Sequence, residues 1–194
     1  MTPLTNLREY QIVLASKSPR RQQLLSDLGV NFEIMVTDTN ESFPDDMPVG
    51  DVAAFLAEKK ANALSEKIND KQLVITADTI VAMGDKILNK PDGATHAREM
   101  LQALSGKKHE VITGVCLLSK NKKVVFSART SVWFKELSSS EIDYYIEKYK
   151  PFDKAGAYGI QEWIGYIGIY RIDGSYFNVM GLPVQQLYTH LATF

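Results

Sequence analysis

The chain has 194 residues, 45% of them hydrophobic and 23% charged, which suits one globular domain spanning residues 1–194 with a substantial apolar core. A net charge of −1 excludes the overall basic field that would recruit nucleic acid, and a lone cysteine, Cys116, excludes an internal disulfide framework and a Cys-built zinc site. No stretch approaches the roughly 18 uninterrupted apolar residues of a membrane span, and MTPLTNLREYQ lacks the charged start and apolar core of a signal peptide. The expected setting is the cytoplasm, with no membrane partner.

Ile12, Val13 and Leu14 form a short apolar strand that runs into a polar turn. Ser18 then caps a helix that begins at Pro19 and reaches about Leu28, with Leu24, Leu25 and Leu28 inward and Gly29 as its stop. The first turn carries Arg20 and Arg21, so the N–H dipoles and two guanidiniums meet in one place. Such a strand-to-helix turn suits a polyphosphate. A well-capped surface helix with two solvated arginines fits the same residues.

A second strand is expected at Phe32 to Val36, then a polar loop from Thr37 to Gly50. A long amphipathic helix follows from about Asp51 to Ile68, with Val52, Phe55, Leu56, Leu64 and Ile68 inward. Lys60 stands on it, singly no more than a solvated lysine. Leu73 to Val81 is a continuous apolar strand with one charge in it, Asp78, beside Thr79. An ionised carboxylate in such a run needs a metal, a cation or access to a cleft. A strand end or a structural ion pair would also accommodate it.

Met83 to Lys86 turns the chain back through Ile87 and Leu88 towards Lys90-Pro91. Asp92 to Leu104 reads as a helix, and Val111 to Leu118 and Val124 to Phe134 as strands. Cys116, inside an apolar run, is a buried structural thiol. Ser138 with Glu141 makes a capping box for a helix to about Tyr149.

The block DKAGAYGIQ, Asp153 to Gln161, lets backbone approach a ligand closely, with Lys154 adding polar reach and the Gln161 amide able to read a base edge. Small residues of this kind also serve tight packing. Trp163 to Tyr170 is read as a core strand or as an exposed surface for a second copy of the chain. Asp173-Gly174 predicts a hairpin between strands Tyr166–Ile172 and Tyr176–Met180, and Pro183 opens a last helix. Helices alternate with frequent hairpins, so the fold class is α/β with a mixed sheet.

LASKSPRR with Ser16, Ser18, Pro19, Arg20 and Arg21, the Lys60-Ala61 pair, Ala77-Asp78-Thr79, Lys90-Pro91, DKAGAYGIQ and GSYFNVMGLP together resemble the Maf family of nucleoside triphosphate pyrophosphatases. The resemblance is collinear from about Ile12 to Pro183. It implies a twisted mixed sheet flanked by helices, in two lobes with a central cleft, an ITPase-like architecture. It also implies hydrolysis of a nucleoside triphosphate to the monophosphate and pyrophosphate with a divalent metal, Mg²⁺ or Mn²⁺.

DKAGAYGIQ looks like the branch acting on dTTP and UTP, in the manner of a house-cleaning enzyme. By the same match Asp78 is the proton acceptor, and Arg20, Thr79 and Gln161 set base preference. Ser16, Ser18, Arg21, Lys60, Lys90 and Lys154 complete the expected substrate cradle. The metal is expected on Asp78; Glu33, in the strand after the first helix, is read either as the second metal carboxylate or, equally, as a surface glutamate. Two positions depart from the family pattern: Lys150 precedes Pro151 where Glu is usual, and Glu162 follows the Gln where Gly is usual.

Rival readings are a pyrophosphatase for modified purine nucleotides such as ITP or N7-methyl-GTP, and a nucleotide-binding regulator of cell division without turnover. A nucleic-acid binder using Arg20 and Arg21 is opposed by the near-neutral charge.

Overall fold

Strand pairing of both senses builds one seven-stranded sheet, ordered β2-β1-β3-β5-β6-β7, with β4 added on β3. The computed structural model describes residues 4–36 and 38–194. Residues 1–3 and Thr37, the first residue of the expected loop, lie outside the described residues. The strands are β1 Gln11–Leu14, β2 Glu33–Ile34, β3 Gln72–Met83, β4 Lys86–Leu88, β5 Lys108–Leu118, β6 Lys123–Phe134 and β7 Ile169–Asp173. β1 runs parallel to β2 and β3, with Val13 opposite both Glu33 and Val74. β3–β4 and β6–β7 are antiparallel. The sheet is therefore mixed and flanked by helices.

The helices are α1 Pro19–Asp27, α2 Val49–Asn62, α3 Ala94–Leu104, α4 Ser139–Tyr149, α5 Trp163–Gly168, α6 Tyr176–Met180 and α7 Val184–Ala192. No helix among the described residues is long and apolar enough to cross a membrane. The chain divides into two compact units, residues 1–78, 113–128 and 181–194, and residues 79–112 and 129–180. β3, β5 and β6 each contribute residues to both.

In the first unit Val13, Ala57, Ala61, Leu64, Ile68, Val74, Cys116 and Leu118 form a core cluster. α2 presents small residues to the sheet, and at Gly114 of β5 the approach is close. A Cβ there would sit 2.2 Å from backbone atoms of Ala53, so glycine is required by contact and not by torsion. Thr76 Oγ1 of β3 donates to the Ala57 carbonyl at 2.6 Å, fastening strand to helix within one turn of Lys60. The expected long helix ends early, at Asn62. Ala63 to Lys67 continue as turns, with Ser65 N–H on the Asn62 carbonyl, and Leu64 and the following Ile68 are still buried.

The second unit has its own core, in which Leu101, Leu104, Val132, Phe134, Ile142, Tyr145 and Ile164 are buried. Its α4 opens with the expected capping box, Ser138 Oγ accepting from Glu141 N–H while Glu141 accepts from Ser138 N–H.

Two expected strands of this unit are helices. Trp163–Gly168 is α5, with Ile164 and Gly168 buried four residues apart and Tyr166 at the surface. Tyr176–Met180 is α6, so Asp173-Gly174 turns a strand into a helix and makes no hairpin. Ser175 Oγ accepts from Asn178 N–H at 3.3 Å in the manner of a cap. Asn178 then donates to the Val111 carbonyl at 3.0 Å and to Thr130 Oγ1 at 2.9 Å. That buried bonding outweighs the strand propensity of Tyr176, Phe177 and Val179.

Candidate active site

The turn between β1 and α1 is held open by its own serines. Buried Ser16 accepts at Oγ from Ser18 N–H (3.2 Å), and Ser18 Oγ caps α1 by accepting from Arg21 N–H (3.4 Å). Gln22 Nε2 donates to the Ser16 carbonyl at 3.3 Å. Pro19, without an N–H, occupies the first helical position. Both serines of the signature thus have a local task, and the two arginines project from the turn they hold.

Arg21 is half-buried, its Nε donating to the Gly181 carbonyl at 2.8 Å. That bond ties the first signature block to Gly181, which lies in the same unit. Loss of water presses the Arg21 guanidinium below its ordinary value. Asp78 and Glu41 oppose the shift, and Arg20 adds to it. Arg20, Arg21, Glu41 and Asp78 therefore share one electrostatic neighbourhood.

Lys60 joins them. From the last turn of α2 its Nζ reaches Asp78 Oδ1 at 2.5 Å and Glu41 Oε1 at 2.7 Å. The Lys60 and Asp78 side chains are 17% and 12% exposed, and that of Glu41 48%. Asp78 lies on the face of β3 that Thr76 shares and α2 covers, which explains how a carboxylate survives in an apolar strand. Thr79, next in the chain, is half-buried and by strand alternation stands on the other face.

Glu41 was not singled out in the sequence, where it is one acid in a polar loop. Glu33, the carboxylate that was, lies exposed on β2 opposite Val13. Among the described residues, Lys60 pairs with Glu41 and Asp78 and no ion pair joins Glu33 to them. Among the described residues there is no cluster of three or more His, Cys, Asp or Glu side chains placed to hold a metal. The donor set at hand is the Asp78–Glu41 pair, two carboxylates already converging on one cation.

The second unit gathers the other blocks. Gly156 N–H donates to the Asn89 carbonyl at 3.2 Å, bringing the exposed Lys90 beside the DKAGAYGIQ block. Lys154, its side chain only 9% exposed, contacts Asp153 at 2.8 Å and Glu162 at 3.1 Å. Gln161 keeps its carbonyl oxygen Oε1 buried with no hydrogen-bond partner. A buried acceptor left unpaired is costly, and a ligand donor is one way to answer it.

Cys116 is fully buried and free, and burial pushes its thiol up to about 12, which fits packing and not catalysis.

A family model described as Maf-like protein matches residues 11–194. A dTTP/UTP pyrophosphatase of Parabacteroides distasonis is 52% identical over 192 residues, covering 98% of this chain and 100% of that protein. One of Phocaeicola vulgatus is 53% identical over 189 residues, covering 97% and 98%. Among solved structures, the Staphylococcus aureus Ham1 protein matches over 64% of this chain and 71% of its own, at 13% identity with a TM-score of 0.45.

Proposed function

The chain belongs to the Maf family, and on that premise we propose that it is a nucleoside triphosphate pyrophosphatase converting dTTP and UTP to the monophosphate and pyrophosphate. The observation that carries this reading is the placement of Lys60 between Asp78 and Glu41, beside the Arg20–Arg21 turn. A binder of polyphosphate needs cations alone. A hydrolase also needs a carboxylate, to take a proton from water or to hold a metal.

Asp78 accepts the proton of a water that attacks the α-phosphorus. The bond from that phosphorus to the bridging oxygen breaks, and pyrophosphate departs. Arg20, Arg21 and Lys60 hold the phosphates, with Ser16 and Ser18 shaping the turn, so positioning and charge do most of the catalytic work; Lys90 is carried as a substrate residue by the match to the family alone. Mg²⁺ or Mn²⁺ fits the Asp78–Glu41 pair, since such ions take one or two carboxylates with phosphate oxygens and water. When bound, it supplies charge neutralisation on the polyphosphate. Glu41 replaces Glu33 as second carboxylate in this reading because it, and not Glu33, meets Lys60.

The Oε1 of Gln161 supplies the acceptor that the N3–H of uracil or thymine requires. Arg20 and Thr79 are carried as further determinants of base preference by the match to the family. The setting is the free nucleotide pool of the cytoplasm.

A panel of ribo- and deoxyribonucleoside triphosphates with Mg²⁺ or Mn²⁺ tests the reading, following pyrophosphate and monophosphate together. Fastest release from dTTP and UTP is expected. A purine winning the panel would overturn the base assignment. Nucleotide binding without turnover would overturn the activity and favour a regulator.

A further inference from the structure

Glu162 sits at the N-cap of α5, yet its carboxylate makes no capping bond there. Ser, Thr, Asp or Asn would serve that position better. Its side chain turns instead to Tyr145, whose Oη donates to Glu162 Oε2, and to Lys154, whose Nζ stands 3.1 Å from Oε1. Tyr145 is fully buried, and burial together with the Glu162 hydrogen bond raises its phenol, so it remains a donor.

The same Tyr145 oxygen accepts from Gly159 N–H at 3.0 Å. Glu162 N–H in turn donates to the Gly159 carbonyl at 3.0 Å, closing the four-residue turn Gly159-Ile160-Gln161-Glu162. Both ends of that turn are thus fastened to one phenol. The fit is tight: a Cβ on Gly159 would lie 2.9 Å from Glu162 Cδ. Inside the clamped turn is Gln161, with its buried, unpartnered carbonyl oxygen.

We propose that Tyr145, Glu162 and Lys154 form a clamp that fixes the Gln161 turn and so sets the preference for uracil or thymine over cytosine. This rests on the base-reading role of Gln161 proposed above. Uracil and thymine present an N3–H donor, whereas cytosine presents an N3 acceptor with an amino donor beside it. A rigidly placed acceptor favours the former. An amide on a loosened turn rotates to offer its NH₂ and accepts either. Lys154 in this scheme acts through Glu162, being almost covered by its two carboxylate partners, and the phosphates are left to the cations of the other blocks. The three residues are positioning residues, and none of them touches the reacting atoms.

The test compares kcat/KM for UTP and CTP in Tyr145→Phe, Glu162→Gln and Gln161→Ala, with melting temperatures measured alongside. Tyr145→Phe removes one oxygen from an otherwise intact ring, and Glu162→Gln keeps the side-chain shape. Both are expected to lower the UTP:CTP ratio roughly tenfold by raising CTP turnover relative to UTP. A merely structural clamp would lower both rates together and leave the ratio unchanged.

An unchanged ratio in Tyr145→Phe and Glu162→Gln, with a collapsed ratio in Gln161→Ala, would overturn the clamp and leave the base reader standing. An unchanged ratio in Gln161→Ala would overturn both. Should Tyr145→Phe fail to fold, Glu162→Gln alone decides by the same ratio.

Discussion

Lys60 places its ammonium 2.5 Å from Asp78 Oδ1, so the helix α2 and the strand β3 meet through one charge pair that is nearly closed to water. Removing the cation leaves a buried carboxylate that Arg21 still partly compensates. Lys60→Met is expected to cost about 2–3 kcal/mol of stability, at the low end for a broken buried pair because Arg21 remains. Asp78→Asn is expected to abolish turnover with a much smaller stability loss and with nucleotide binding retained. Urea titrations and pyrophosphate release read the two effects separately. Full activity in Asp78→Asn would remove it from the mechanism.

Arg21 is fixed by the bond from Nε to the Gly181 carbonyl, and in the proposed reading the same guanidinium also holds phosphate. Lysine carries the same charge but has no second nitrogen with which to divide those tasks. Arg21→Lys is expected to raise KM for the triphosphate about tenfold, a loss of ~1.4 kcal/mol in binding, with an unchanged circular dichroism spectrum. An unaltered KM would show that the charge alone suffices.

His109 makes stability depend on pH. It is buried, with Nε2 2.7 Å from the Tyr158 hydroxyl and Nδ1 without a partner, and burial pushes its imidazole down to about 4. Its folded value lies below the ordinary 6.5, so between those limits the unfolded chain binds a proton that the folded chain refuses. Stability is whole above pH 6.5 and falls as pH drops towards 4, by ~3 kcal/mol at most from this group. His109→Gln should flatten that part of the profile, whatever its effect at pH 7. An identical slope in the variant would assign the acid sensitivity elsewhere.

Cys116 should resist thiol reagents in the folded protein, because its sulfur is both covered and pushed up to about 12. Labelling by iodoacetamide is expected to track global unfolding across a denaturant series. Fast labelling under native conditions would indicate an opening of the sheet at β5.

Where periodicity and capping agreed, the elements were legible in the sequence. Pro19, Ser18 and the Ser138–Glu141 pair name their helices through local hydrogen bonds that need no tertiary partner. At α6 the departure from expectation has a visible cause, which is that distant partners decided the local state. Tyr176, Phe177 and Val179 favour strand, and Asn178 wins them for a helix through Val111 and Thr130. The site divides similarly. Arg20, Arg21, Lys60 and Asp78 announce themselves by motif, but Glu41 is recognisable only once folding brings its loop onto Lys60, and Glu162 only once Tyr145 and Lys154 are seen around it.

β7 ends the sheet, with β6 on one side and no further strand on the other among the described residues. Four of its five residues are exposed, Tyr170 and Ile172 included, so it shows a row of backbone donors and acceptors to any extended peptide that drifts past. Arg171 and Asp173 interrupt that row with charges of opposite sign two residues apart, and the strand is only five residues long. Copies stacking in parallel register would set arginine on arginine and aspartate on aspartate. Brevity and those two charges keep an otherwise adhesive border from growing into fibres, so neutral substitutions there would be felt first in shelf life and yield, before any change in turnover.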